Sequence, residues 1–233
     1  MTQYLSRKIS NSYLPPFGNN EGQMAPNVKD LMRSNPWDIK SKFDWEKIKK
    51  EWDQLALSEN KVSFLEASPP NIMRVSEILS SFPNSKYVFS ISSPYPYIAS
   101  CVYNYGLIKE GDNFDLPQSF DSAIEKSIEI STTKWIKKAK QQKLNIENHG
   151  DKNLRLTYEE FCKCPEILLE KLNIKSVNND KSSSSLLGKK NSKVSEIIDM
   201  TPKHLSFLGT DGLLKINNLL KEQIDLLEYF GYD

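Results

Sequence analysis

The side chains best suited to chemistry are few in this sequence. There are three cysteines, two of them in Cys162-Lys163-Cys164, and two histidines, His149 and His204, far apart along the chain. That is too few cysteines for a disulfide scaffold and too few clustered ligands for zinc, so Cys162 and Cys164 read as ordinary thiols flanking a turn. Of the 31 basic residues only four are arginines, Arg7, Arg33, Arg74 and Arg155. Arginine is the usual bidentate clamp for phosphate. An anion site in this chain must therefore be built largely from lysines, hydroxyls and backbone N–H groups.

The elements that would position such groups alternate between strand and helix. Tyr4 to Ile9 and Asn27 to Met32 read as short helices, separated by a loop from Pro15 to Asn20 rich in breakers. Asp44 can cap a stronger helix, in which Trp45, Ile48, Trp52 and Leu55 recur at i, i+3, i+7 and i+10 on one face. Strands are predicted at Lys61 to Leu65, Tyr87 to Ile91 and Leu154 to Thr157. Helices are predicted over Asn71 to Phe82, Pro96 to Tyr105, Phe120 to Lys143 and Pro165 to Leu172, the last with proline in its first turn. In the long helix Ile124, Ile128 and Trp135 face inward. The terminal helix repeats Leu213, Ile216, Leu220, Ile224 and Leu227 at spacings of three and four. Residues 175–193, with four consecutive serines, are polar and read as a flexible loop.

Alternating strands and helices imply an α/β fold with a small parallel sheet flanked by helices, and ligands at the carboxyl ends of the strands. The chain has 233 residues, 38% hydrophobic and 26% charged, with a net charge of +1, which suits a single domain over 1–233. Balanced charge gives no reason to expect a nucleic-acid partner. No run of about 18 apolar residues is present to span a bilayer. The first residues lack an apolar signal region, so the expected location is cytoplasmic.

Four segments, in order, resemble sulfotransferases that use 3′-phosphoadenosine 5′-phosphosulfate. The most specific covers Glu66-Ala67-Ser68-Pro69, then Phe82-Pro83-Asn84, then Ser92-Ser93-Pro94 and Ser100. The family pattern there is a strand ending in Glu-Lys-Ser-Pro, a helix, Phe-Pro-Asn/Asp-Ala, a strand ending in Arg-Asp/His-Pro, and a serine eight residues after the arginine. Leu156-Thr157-Tyr158-Glu159-Glu160-Phe161 through Pro165 looks like the family's Tyr-Glu-Asp-Leu turn. Asn20-Glu21-Gly22-Gln23 resembles an early Glu-Gly-Gln of one bacterial branch, and Phe230-Gly231-Tyr232 closes the terminal helix as in the family.

The resemblance implies a fold related to the P-loop proteins and transfer of a sulfuryl group to a hydroxyl or amine of a carbohydrate or other small acceptor, with no metal. It implies Glu21 as general base, against the plainer reading of a solvated loop carboxylate. It places Ser92 and Ser100 at the 3′-phosphate, Thr2 in the tail of the 5′-phosphosulfate loop, and Lys189 and Lys190 in a basic loop closing over the 3′-phosphate. Lys189 and Lys190 also read simply as a solvated pair. Two positions depart from the pattern: Ser92 stands where the phosphate arginine belongs, and Ala67 where a lysine belongs. Met1 to Arg7 matches only the end of the first loop and its helix, so the first strand is expected to be missing. The alternative implied is a degenerate, non-catalytic binding or scaffold protein on the same fold.

Overall fold

In the computed structural model the described residues are 12–13, 39–40, 43–58, 60, 63–66, 69–110, 122–150, 153–173 and 199–232. Tyr4 to Ile9, Asn27 to Met32, Lys61, Val62 and the 175–193 loop lie outside them. The chain divides into two compact units, one within 1–88, 149–154 and 164–195, the other within 89–148, 155–163 and 196–233.

The first unit is organised around helix α1 (Trp45–Ser58). Asp44 caps it as its sequence position suggests, the Oδ1 accepting the Lys47 N–H at 3.0 Å. Ile48, Trp52 and Ala56 are buried on one face. Phe43, Trp45, Leu55, Phe64 and Phe82 pack against this face. Strand β1 (Ser12–Tyr13) pairs in parallel with β2 (Ser63–Phe64), Ser12 opposite Ser63 and Tyr13 opposite Phe64. Where the pattern predicts one helix over Asn71 to Phe82, the chain forms a tight helical turn (Pro69–Met73) and then α2 (Val75–Ser81). The break is Arg74, at φ −132° and ψ 20°. Its guanidinium is buried against Phe43, 3.8 Å from the ring centroid, and bonds Glu77 at 3.3 Å. A continuous helix would give up this placement. A short helix, called α6 below in chain order (Ile167–Lys171), buries Leu168 and Leu169.

The second unit contains most of strands β3 (Val88–Ile91) and β4 (Leu154–Thr157), which pair with each other. The described strands thus form two separate pairs rather than one sheet of three, and β1 is a strand that two residues could not announce. Helix α3 (Pro94–Glu110) begins earlier and ends later than its pattern predicts. Pro94 and Pro96 fit its first turn because N–H groups there have no partner within the helix. Helix α4 (Ser122–His149) runs for 28 residues, with Ile128, Trp135 and Ala139 buried. A further helix, α5 (Tyr158–Lys163), follows β4 directly.

Helix α7 (Thr201–Leu220) is interrupted at Gly209, whose φ of 62° and ψ of −172° lie in a region only glycine enters readily. A tight turn (Lys221–Gln223) leads into α8 (Ile224–Phe230). The turn changes the phase of the apolar repeat. Ile216 and Leu220 are buried as predicted, but Ile224 is 54% exposed, and Leu226 and Phe230 take the inward positions instead. These residues join Ile98, Ala99, Val102, Ile128 and Trp135 in one apolar cluster.

Candidate functional site

The carboxyl end of β3, where the chain turns through Ser92 and Ser93 into α3, is braced by side chains from several elements of the second unit. One face of α4 supplies three of the braces. Trp135 Nε1 donates to the Ser92 carbonyl at 3.0 Å, Lys138 Nζ to the Tyr97 hydroxyl at 2.9 Å, and Gln142 Nε2 to the Ser90 carbonyl at 3.2 Å. The spacing 135, 138, 142 is i, i+3, i+7, so a straight helix aims all three the same way.

The next brace comes from α5. Thr157-Tyr158-Glu159-Glu160 is a capping box: the Thr157 N–H donates to Glu160 Oε2 at 2.7 Å, and the Glu160 N–H to Thr157 Oγ1 at 3.1 Å. With Glu160 occupied at its own helix, Glu159 faces Ser93 and accepts that residue's N–H at 2.8 Å. The Tyr232 hydroxyl donates to the other Glu159 oxygen at 3.0 Å and lies 3.4 Å from the Ile91 carbonyl. Burial and then the Glu159 charge push the Tyr232 phenol well above its ordinary value, so it remains the donor.

Behind this junction Tyr97, Ser100 and Cys101 follow Ser93 along α3. The Tyr97 N–H donates to the Ser93 carbonyl at 3.3 Å. Burial raises the Tyr97 phenol and the Cys101 thiol beside it raises it further. Burial pulls the Lys138 ammonium down, opposed by the Cys101 thiol and aided by Lys134. Ser100 is half-buried on the same helix.

Of the residues singled out by sequence, Ser92 and Ser100 fall at this junction. Thr2, Glu21, Ala67, Lys189 and Lys190 lie outside the described residues. Glu66 accepts from Asn71 Nδ2 at 3.5 Å in the first unit. Cys162 is half-buried and Cys164 exposed, both free thiols. Tyr158 is held locally, its phenol raised above the ordinary value first by a hydrogen bond with Cys162 and then by burial. Among the described residues no three His, Cys, Asp or Glu side chains are placed to hold a metal ion, and no helix is long and apolar enough to cross a membrane.

Sequence reasoning passed over Tyr97 and Lys138, and named Glu159 and Tyr232 only within the resembling segments, with no role for either. The Thr-x-x-Glu spacing was the available signal for α5, and the 135–138–142 stripe for Lys138. Nothing local points to Tyr232, which reaches Glu159 across 73 positions of sequence. No protein-family model, curated protein or solved structure matches the chain.

Proposed function

We propose that this protein is sulfotransferase-like and moves a sulfuryl group from 3′-phosphoadenosine 5′-phosphosulfate to a hydroxyl or amine of a carbohydrate or other small acceptor. The supporting observation is the β3–α3 junction: a strand ends in two serines, and Pro94 opens a 17-residue helix that carries Ser100 two turns further in. A helix N-terminus beside hydroxyl groups favours an anion, which is the chemistry a 3′-phosphate requires. In this reading Ser92 and Ser100 meet the 3′-phosphate with Lys189 and Lys190 closing over it, Thr2 serves the 5′-phosphosulfate, and Glu21 takes the acceptor proton. The acceptor oxygen or nitrogen attacks sulfur in line. The S–O bond to the phosphate breaks, and 3′,5′-adenosine bisphosphate leaves with that electron pair.

A second reading, a non-catalytic scaffold on the same fold, is favoured by one specific observation. The Glu159 carboxylate already accepts the Ser93 N–H at 2.8 Å, which sets a negative charge next to Ser92, the residue this site would use for the phosphate. Ser92 brings no charge to offset it.

Titration calorimetry with 3′,5′-adenosine bisphosphate decides between them. Micromolar binding is expected, weakened about tenfold by Ser100→Ala, a loss of about 1.4 kcal/mol. Glu159→Gln, which keeps the acceptor and removes the charge, is expected to tighten it. The absence of heat at millimolar ligand overturns the transferase reading and leaves the scaffold.

A further inference from the structure

The second unit holds a group of nucleophiles that sulfuryl transfer does not use. Lys138 Nζ and the Tyr97 hydroxyl are 2.9 Å apart. The same ammonium lies 5.1 Å from the centroid of the Tyr97 ring. Cys101 follows Tyr97 by one helical turn, where side chains four apart are neighbours about 5–6 Å from each other at Cβ. All three side chains are half-buried, and Cys101 is a free thiol.

We infer that Cys101 and Lys138 form a site for covalent acylation by acyl thioesters, in which Cys101 captures the acyl group and passes it to Lys138. The Cys101 thiolate attacks the thioester carbonyl. The donor's C–S bond breaks, its sulfur leaves as a thiolate that takes up the proton Cys101 gave up, and the protein holds the acyl group as a Cys101 thioester. The Lys138 amine then attacks that carbonyl, a C–N bond forms, and the Cys101 C–S bond breaks. The proton shed by the nitrogen returns to the Cys101 sulfur. The net reaction is acyl thioester plus lysine amine giving acyl-lysine plus free thiol, and Cys101 is regenerated.

Three features of the group favour this chemistry. A thiol exchanges with a thioester more readily than an amine attacks one from solution, so the cysteine is the better first acceptor. Once the acyl group is on Cys101, the second step is intramolecular, and well-oriented neighbours gain large effective concentrations. Burial favours the neutral, nucleophilic amine of Lys138, and its bond to Tyr97 holds the nitrogen in place. Acylation would discharge Lys138 and replace its amine with an amide beside the braced β3–α3 turn.

The test is incubation of the full chain with acetyl-coenzyme A, followed by peptide mass spectrometry at each lysine of α4. Lys137 and Lys140, both exposed on the same helix, are the internal references. Lys138 is expected to acetylate at least about tenfold faster than either, as an intramolecular second step predicts. Cys101→Ala and Cys101→Ser are each expected to bring it down to the reference rate. A protein quenched early is expected to carry a hydroxylamine-labile acetyl group on the Cys101 peptide. Equal rates at the three lysines of the wild-type protein would overturn the proposal without any variant. So would a Lys138 rate unchanged in a Cys101 variant whose circular dichroism matches the wild type. The same ranking is expected with S-acetylcysteamine, a thioester without the 3′-phosphoadenosine that acetyl-coenzyme A carries, which keeps the result independent of nucleotide binding.

Discussion

The first unit's core around α1 is a stack of rings, whereas the second unit's is mostly aliphatic. Trp52 lies nearly parallel to Phe64, with centroids 4.8 Å apart, and is also stacked on Phe82 at 5.5 Å. Around it Phe43, Trp45 and the Arg74 guanidinium close the cluster. The second unit instead buries Ile98, Val102, Ile128, Ile216 and Leu220 between long helices. Among the described residues around α1, the short helix α2 and two-residue strands offer few positions from which to bury area. Each position must therefore contribute much, and aromatic side chains bury about 150–250 Å² apiece. The second unit spreads its burial over many residues of α3, α4 and α7. A few rings concentrate burial in single residues, and many aliphatics distribute it.

The sharpest way to break this contrast is truncation of one residue in each core. Trp52→Ala is expected to cost about 3–5 kcal/mol and Ile216→Ala about 2–5 kcal/mol. Hydrogen exchange should then lose protection across 43–82 in the first variant, and across α3 and α7 in the second. An even loss over the whole chain in both variants would remove the distinction.

Alkaline titration separates the units a second way. Burial, and secondarily the Glu66 charge, push the Tyr87 phenol of the first unit up to about 12. Above pH 10 the unfolded chain gives up this proton while the folded one keeps it. Stability contributed by Tyr87 is thus present below pH 10 and is lost as pH rises toward 12, a fall of about 3 kcal/mol. Tyr87→Phe is expected to flatten that part of the denaturation-versus-pH curve. The Tyr232 phenol in the second unit is also raised, so some decline should persist.

Within the second unit, Tyr232→Phe removes the hydroxyl donated to Glu159. A hydrogen bond to a charged group is worth about 1.5–3 kcal/mol, and urea denaturation should report a loss in that range. Gly209→Ala places a Cβ that meets no atom within 4 Å, so its cost is backbone strain alone, about 1–3 kcal/mol. The smallest effect is expected at the first unit's surface. Lys49 and Asp53 pair at i, i+4 with both side chains about half exposed, and Lys49→Ala should cost only about 0.3–0.5 kcal/mol.

How much of this was legible in the sequence depended on the range of each interaction. Asp44 as a cap, the α1 face and the inward Trp135 are local and periodic, and the structure places them as read. Helix α2 came out shorter because Arg74 trades helical backbone for burial against Phe43, a tertiary gain that no periodicity encodes. The pairing of Ser12–Tyr13 with Ser63–Phe64 is a contact over some fifty residues made by segments too short to carry a pattern. The junction after β3 was half legible. The resemblance marked Ser92 and Ser100 near the end of β3, whereas Glu159 and Tyr232 reach that turn from other elements.

The turn over Lys221–Gln223 has a consequence for insertions and deletions. None of its three residues is buried, so substitutions there meet little resistance from packing. Its length is another matter. Each residue of an α-helix advances the side chains by about 100°, so removing one residue between Leu220 and Ile224 would rotate α8 by about that angle relative to α7. Ile224 would swing toward the interior, and Leu226 and Phe230 would leave it. Phe230 and Tyr232 are only two residues apart, so the clasp on Glu159 would shift with the helix. The segment is free in composition and fixed in number.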